Sequence, residues 1–214
     1  MKCSELLGQV NPGELVLGVA EDGLPVKLDL KEALGPVFVI AQAESKTHEL
    51  LMLTASSLQK SSPDYNIVVV TKNPETWQEI NPDFVTTPDD PRLTEYFNGM
   101  ISQPDTRRLL IVEGLEHSGQ MPNETKLIIH SLLQNRPKDG NIQILASIDP
   151  EAIPGGIDPL ITEYLNGQLI WGITKTTKDN NLQPDEFLAA GLGQYGQALR
   201  FPCLKVDSQP IVML

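Results

Sequence analysis

Three kinds of local pattern follow one another in the segment VFVIAQAESKTHELLML (Val37–Leu53). It begins with a continuous apolar run, which is typical of a strand that is buried on both faces. A short polar loop ending in Lys46-Thr47 follows, and the apolar residues after the loop recur at helical spacing. A buried strand, a tight loop and a helix in this order predict the start of an α/β unit.

Similar runs continue along the chain. Further nearly continuous apolar runs predict strands covered on both faces, giving the set 36–41, 66–71, 108–113 and 141–148. Helical spacing predicts intervening helices over 45–60, 91–102 and 123–135. Strands that alternate with helices imply right-handed crossovers, with ligands at the carboxyl ends of the strands. We therefore expect an α/β fold with a mainly parallel central sheet.

The two ends of the chain differ from this core. Two apolar runs around an Asp22-Gly23 turn predict an N-terminal hairpin, 14–19 with 25–30. Near the C-terminus we expect further strands over 167–176, 196–201 and 203–214, with a short helix that starts near Pro184. We found no linker that divides the chain. We expect one domain, 1–214, with the hairpin in 1–35, the α/β core in 36–176 and the C-terminal strand region in 177–214.

Composition limits the classes of partner. The chain has 214 residues, 40% of them apolar, and the formal net charge is −12. Negative charge repels nucleic acid, so a DNA contact needs a local basic face. No run approaches the roughly 20 apolar residues of a membrane span, and the start lacks a signal-peptide core, so we expect no membrane partner and a cytoplasmic location. We expect Cys3 and Cys203 to stay reduced thiols.

The loop before Lys46 departs from the phosphate-binding pattern G-x-x-x-x-G-K-[ST]. In that pattern, glycines let backbone N–H groups turn towards the phosphates, the lysine neutralises them and the hydroxyl holds magnesium. Here Ile40 and Ser45 stand at the two glycine positions, and only Lys46 and Thr47 match. Left-handed backbone geometry costs a residue with a side chain about 1–2 kcal/mol, so we expect a loop of different shape.

Two interpretations of Ser45-Lys46-Thr47 remain open. In the first, Lys46 and Thr47 bind a phosphate or another anion at the N-terminus of a helix. In the second, Ser45 or Thr47 caps that helix and Lys46 is a solvated charge. The rest of the chain has to decide between them.

The order of the segments resembles the FtsK/HerA family of DNA-pumping P-loop ATPases. The hairpin and loop of 17–58 are similar in layout to that family's, and RRLLIVEGLEHSG (107–119) is similar to its metal-site strand. LLQNRPKDGNIQILASIDP (132–150) and LGQYGQALRF (192–201) resemble two later family segments. The resemblance implies a RecA-like P-loop NTPase three-layer fold, with ATP and Mg as cofactors.

The departures from the family pattern fall on its chemistry. Glu113 stands at the position of the metal-site aspartate, where it could hold magnesium through water, and Gly114 replaces the water-activating glutamate. Glu116 is a possible substitute, two residues further on. Ser147-Ile148 replaces a Thr-Gln pair that senses the terminal phosphate, and Arg136 is either an arginine finger or a helix-end arginine. A glycine cannot act as a general base.

These departures predict a pseudo-ATPase without catalytic residues or a required cofactor. We expect a scaffold or assembly subunit that acts through protein partners or through self-association in a ring. The alternative is an ATP-binding, weakly hydrolysing subunit of a DNA-associated motor, which uses Ser45, Lys46 and Thr47 for the nucleotide and Glu113 for the metal. A third possibility is an unrelated α/β domain, and a central position for the strand near 37–41 in a parallel sheet would argue against it.

Overall fold

The computed structural model describes most of the chain. The described residues are 7–8, 10–30, 35–103, 105–134, 141–152, 168–172, 174, 177, 181–190 and 198–204. Among the sequence predictions, Cys3, Arg136 and nearly all of 203–214 lie outside these ranges.

An eight-stranded sheet forms the centre of the fold, in the order β10-β9-β8-β3-β7-β6-β4-β5. Its strands are β3 (Val37–Ile40), β4 (Asn66–Val70), β5 (Phe84–Thr86), β6 (Arg108–Val112), β7 (Ile142–Ile148), β8 (Gln168–Trp171), β9 (Glu186–Ala190) and β10 (Leu199–Pro202). Strands β3 to β8 run parallel, whereas β9 and β10 are antiparallel to their neighbours. The segment at 37–40 therefore lies inside a parallel arrangement, between β7 and β8, which argues against an unrelated fold.

Each face of the sheet is covered by its own apolar layer. The described α-helices are α1 (Thr47–Ser61), α2 (Leu93–Ser102) and α3 (Asn123–Gln134). Val37 and Val39 of β3 pack in the layer that contains α1, and Phe38 and Ile40 pack in the layer that contains α2 and α3. Successive side chains of a strand point to opposite faces, so a strand between two helical layers must be apolar throughout. This is the three-layer arrangement that the resemblance to the FtsK/HerA family implies.

The N-terminal hairpin packs on α1. It consists of β1 (Glu14–Val19) and β2 (Pro25–Asp29), which pair in antiparallel fashion. The Val16 N–H donates to the Ser57 Oγ at 2.9 Å, and the Gly13 N–H donates to the Ser62 Oγ at 2.7 Å. Hydroxyls of α1 and of its C-cap residue thus satisfy backbone donors in β1 and directly before it.

One sequence prediction is wrong. The short helix expected to start near Pro184 is a strand, β9, in which Phe187 and Ala189 are buried and their neighbours are partly exposed. A proline followed by acidic residues suggested the start of a helix, but the alternation of buried residues has the period of a strand, and β9 pairs with both β8 and β10. Strand β5 and two short 3-10 helices, Pro74–Trp77 and Leu115–Gln120, were not predicted.

Candidate functional site at the carboxyl edge of the sheet

The β3–α1 loop (residues 41–46) leaves the carboxyl end of a central strand, where open α/β sheets bind their ligands. Ile40 is fully buried as the last residue of β3, so the first of the two glycine positions belongs to the strand. Lys46 is the N-cap residue of α1, and Thr47 is the first helical residue. No side chain makes a cap hydrogen bond to this helix start. One of the two interpretations of Ser45-Lys46-Thr47 included a side-chain cap from Ser45 or Thr47, and this cap is absent.

The backbone of the loop is closed on itself and on the protein. None of residues 41–46 has a positive φ. The Ser45 N–H donates to the Gln42 carbonyl at 3.0 Å, and the Thr47 N–H donates to the Ser45 carbonyl at 2.8 Å. The Lys46 N–H donates to the Pro184 carbonyl at 2.7 Å. Three successive amides at the end of the loop thus bind carbonyl oxygens of the protein, instead of converging on an external anion as in a backbone nest.

Side-chain packing holds the loop in this shape. Ser45 is only 8% exposed and packs against Gly172, which directly follows β8. A Cβ on Gly172 would lie 2.7 Å from the Ala41 Cβ and 2.7 Å from the Ser45 Oγ, so only a glycine permits this close approach. Lys46 is exposed and Thr47 is partly buried.

Glu113, directly after β6, accepts hydrogen bonds from three side chains. His48 Nδ1 lies 2.8 Å from Glu113 Oε1, the Thr71 hydroxyl donates to Oε2 at 2.7 Å, and the Trp77 indole N–H donates to Oε2 at 3.0 Å. The partners come from the first turn of α1, the end of β4 and the 3-10 helix that follows it. We call these four residues the Glu113 cluster.

The Glu113 cluster is partly shielded from water. The Trp77 side chain is fully buried, and the side chains of Glu113 and His48 are 19% and 33% exposed. The two rings of the cluster, those of His48 and Trp77, meet edge to face with centroids 5.5 Å apart.

Hydrogen bonding favours the charged form of both titratable groups in the cluster. Burial raises the pKa of Glu113, but the bonds from His48, Thr71 and Trp77 outweigh burial and hold that pKa below its ordinary value. The hydrogen bond with Glu113 raises the pKa of His48, against a smaller opposing effect of burial. The hydrogen bond between the two groups therefore favours the ion pair of an imidazolium with a carboxylate.

The loop after Glu113 is tied to the end of β7. Gly114 has a φ of +82°, a left-handed conformation that glycine adopts without strain, and its N–H donates to the Ser147 Oγ at 2.9 Å. The Glu116 carboxylate accepts the Asp149 N–H at 3.1 Å. Ser147, at the sensor position of the family pattern, thus binds backbone, and Glu116 is engaged with the β7 end.

A contact between side chains crosses the top of the β3–α1 loop. The Gln42 amide donates to the Glu151 carboxylate, which lies beyond β7, and the Ala41 N–H donates to the Ile148 carbonyl at 3.1 Å. Ile148 itself is buried in the apolar layer of α2 and α3. The loops after β3 and β7 are therefore bonded to each other.

The structure groups the predicted residues in two places. Ser45, Lys46 and Thr47 lie in or next to the β3–α1 loop, and Glu113 is linked to the same helix start through His48. Sequence reasoning missed His48, Thr71 and Trp77 as partners of Glu113. Thr71 directly follows an apolar strand, a position at which polar residues reach the site, and this was the available signal for it.

Two absences can be stated for the described ranges. Within them, no group of three or more histidine, cysteine, aspartate or glutamate side chains has the geometry to hold a metal ion. Within the same ranges, no helix combines the length and the apolar character required to span a membrane.

Comparison with known proteins supports the fold. No protein-family model and no curated protein sequence matches the chain. The cytoplasmic domain of EssC has a TM-score of 0.75 at 12% identity, over 97% of this chain and 47% of that one. The cytoplasmic domain of the Thermomonospora curvata type VII secretion ATPase EccC has a TM-score of 0.72 at 14% identity, over 97% of this chain and 32% of that one.

A third solved structure contains a nucleotide analogue. The pCW3 conjugation coupling protein TcpA, in a monomer form with ATPγS, has a TM-score of 0.66 at 14% identity, over 93% of this chain and 68% of that one. These three structures are ATPase domains of FtsK/HerA type. The chain has their RecA-like fold, and it spans less than half of the EssC chain and less still of the EccC chain.

Proposed function

We propose that the chain is a noncatalytic domain of FtsK/HerA type, a pseudo-ATPase that serves as a scaffold or assembly subunit through contacts with other proteins or with copies of itself. The observation that carries the proposal is the Glu113 cluster, in which three side-chain donors occupy both carboxylate oxygens. In the FtsK/HerA family, which the sequence resembles, the residue at this position after β6 holds the magnesium ion of the nucleotide.

Donors of the chain itself take three of the roughly four lone-pair sites of the Glu113 carboxylate, which disfavours Glu113 as a metal ligand. Magnesium requires near-octahedral oxygen coordination and is reluctant to lose its waters. Thr71 and Trp77 both donate to Oε2, so an ion that bound this oxygen directly would have to displace one of them, and a displaced Trp77 would leave its buried indole N–H without an acceptor. We propose that the His48 imidazolium supplies the positive charge that a metal supplies elsewhere.

Among the described residues next to Glu113, none is free to act as the general base of hydrolysis. Gly114 follows Glu113 where a general base is needed, and Glu116, the possible substitute, accepts a hydrogen bond from the backbone beyond β7. Phosphoryl transfer relies on positioning and on charge stabilisation, and each lost group costs on the order of 2–4 kcal/mol of barrier. We therefore expect no ATP hydrolysis at a useful rate.

A second candidate is an ATP-binding, weakly hydrolysing subunit of a DNA-associated motor. The exposed Lys46 next to Thr47 at the start of α1 favours it, as does the ATPγS in the structure of TcpA. In this case Lys46 and Thr47 would bind the phosphates, and Glu113 would bind Mg after the Glu113 cluster had opened. The net charge of −12 gives this candidate no support for DNA binding.

Two measurements separate the candidates. The first is ATP turnover by the purified chain with Mg²⁺, with Lys46→Ala as the comparison. We expect the same background rate for both proteins, whereas robust hydrolysis that Lys46→Ala abolishes would overturn the proposal. The second is calorimetry with Mg-ATP, in which the scaffold predicts no binding heat and the motor subunit predicts a saturable one.

Assembly is tested by the mass of the chain in solution, with and without ATP. A complex of several copies that does not depend on ATP would support a scaffold that assembles with itself. A monomer under both conditions would leave contacts with other proteins as the assembly mode. Assembly only in the presence of Mg-ATP would favour the motor subunit.

A further inference from the structure

The closed shape of the β3–α1 loop depends on a second segment, residues 181–186, which leads into β9 and includes its first residue. We call this segment the strap. Its Pro184 carbonyl accepts the Lys46 N–H at 2.7 Å. The contact is between backbone groups far apart in the sequence, so neither the loop nor the strap can form it alone.

The strap is built to present that carbonyl. The Glu186 N–H donates to the Gln183 carbonyl at 2.9 Å, which closes a β-turn with Pro184 at its second position, where proline is favoured. The Cys203 N–H donates to the Asp185 carbonyl at 2.7 Å. The turn thus uses the carbonyls on either side of Pro184 and leaves the Pro184 carbonyl for Lys46.

A carboxylate and an arginine fasten the turn to β10. Glu186 Oε2 accepts the Gln183 N–H at 2.8 Å and a hydrogen bond from the Arg200 guanidinium. Arg200 also donates to the carbonyl of Asn181 at 3.1 Å. Charge-assisted bonds of this kind are stronger than neutral ones, so this pair holds both ends of the strap.

We propose that the strap is an internal clamp that keeps the β3–α1 loop closed, and that the Glu186–Arg200 pair controls the clamp. Two features then keep the β3–α1 loop closed. One is the absence of glycines at positions 40 and 45, and the other is the hydrogen bond from the Lys46 N–H to the Pro184 carbonyl of the strap. The inference rests on the proposed function, because it concerns the same loop, and it adds the element that holds that loop shut. Releasing the strap leaves the Glu113 cluster intact, since the strap has no hydrogen bond to that cluster among the described residues.

Amide hydrogen exchange of the ¹⁵N-labelled full chain tests the clamp. We expect Glu186→Ala and Arg200→Ala each to accelerate exchange of the Lys46 N–H by about tenfold or more, because the carbonyl that protects it is no longer held in place. Glu186→Gln keeps an acceptor for Gln183 and should give a smaller acceleration. Exchange of the β3 amides serves as the measure that each variant remains folded.

The matched control is Arg107→Ala. It removes another arginine–carboxylate pair, Arg107 with Asp64 at 3.0 Å, which lies before β6 and β4 at the opposite edge of the sheet. Exchange of the Lys46 N–H should be unchanged in this variant. Unchanged Lys46 exchange in Glu186→Ala and Arg200→Ala, or equal acceleration in Arg107→Ala, would overturn the clamp.

The same proteins separate failure of the clamp from failure of the proposed function. ATP turnover should stay at background in the wild-type chain. It should also stay at background in Glu186→Ala, since this change neither supplies a general base nor breaks the hydrogen bonds of Glu113. ATP turnover by the wild-type chain would overturn the proposed function. The clamp would still be tested by hydrogen exchange of the Lys46 N–H. Accelerated Lys46 exchange without turnover supports both.

Discussion

Replacing Glu113 tests whether its carboxylate is an internal acceptor or a metal ligand. We consider two variants, Glu113→Gln and Glu113→Leu. Glutamine keeps one oxygen, which can still accept from Thr71 and Trp77, while its NH₂ group can donate to a neutral His48 ring. Leucine has a similar size and no acceptor.

The expected cost follows from what each donor can do afterwards. In Glu113→Leu, His48 is one-third exposed and can bond to water, but the N–H of the fully buried Trp77 keeps no acceptor. An unsatisfied buried donor costs about 1–3 kcal/mol, and the lost charge-assisted bonds add about 1 kcal/mol more after screening. We expect a loss of about 3 kcal/mol in the free energy of unfolding for Glu113→Leu and about 1 kcal/mol for Glu113→Gln.

Urea unfolding followed by circular dichroism measures these changes, because the free energy falls linearly with denaturant. The matched control is Glu75→Leu, which changes an exposed glutamate in the 3-10 helix that also holds Trp77. This variant should stay within about 0.5 kcal/mol of the wild-type chain. The wild-type curve should be the same in MgCl₂ and in EDTA.

Two results would refute this reasoning. The first is a Glu113→Leu protein as stable as the control variant, which would mean that the cluster contributes nothing to the fold. The second is a wild-type chain that gains stability in MgCl₂ and loses this gain in Glu113→Gln, since binding to the native state stabilises it. That result would restore Glu113 as a metal ligand.

Three further predictions concern charge, capping and packing. Because Glu113 raises the pKa of His48, the ion pair should contribute fully to the free energy of unfolding below the ordinary histidine pKa of 6.5. This contribution should fall as the pH rises through the raised pKa. In His48→Asn, the free energy of unfolding measured in urea should therefore change less between pH 6 and pH 8 than it does in the wild-type chain. Arg108 is 4% exposed and donates to three backbone carbonyls around the end of α2, so Arg108→Ala should cost about 2–3 kcal/mol in the same assay, and a loss below about 0.5 kcal/mol would contradict this capping role. Gly172→Ala should lower the free energy of unfolding by about 1–3 kcal/mol, because the new Cβ would overlap the β3–α1 loop. The control is Gly119→Ala, whose Cβ meets nothing within 4 Å and which should be close to neutral. Thermal unfolding compares the two variants, and equal effects would refute the packing argument.

Much of the α/β core was predictable because its signals are local. Continuous apolar runs located β3, β4, β6 and β7, and helical spacing located all three described α-helices. Strand β5 has only three residues, too few for a periodic pattern to emerge. Strand β9 was mistaken for a helix because the proline and acidic residues before it suit a helix start equally well.

The candidate site was predictable only in part. The position of Lys46-Thr47 after a central strand, and of Glu113 after another, followed from the order of the segments. The partners of Glu113 did not, because His48, Thr71 and Trp77 are 65, 42 and 36 residues away from it in the chain. Nothing in their local sequence marks them as donors to one carboxylate.

The amino-acid sequence alone determined the α/β core and the absence of glycines at positions 40 and 45, since these depend on residue type and local spacing. Only the tertiary structure decided which groups bind Glu113 and which contact closes the β3–α1 loop. Hydrogen bonds are short and directional, so a carboxylate's partners and a loop's closing contact are set by which strand ends the sheet brings together. The β6 end meets the start of α1 at Glu113 and His48, and the strap meets the β3–α1 loop at Pro184 and Lys46.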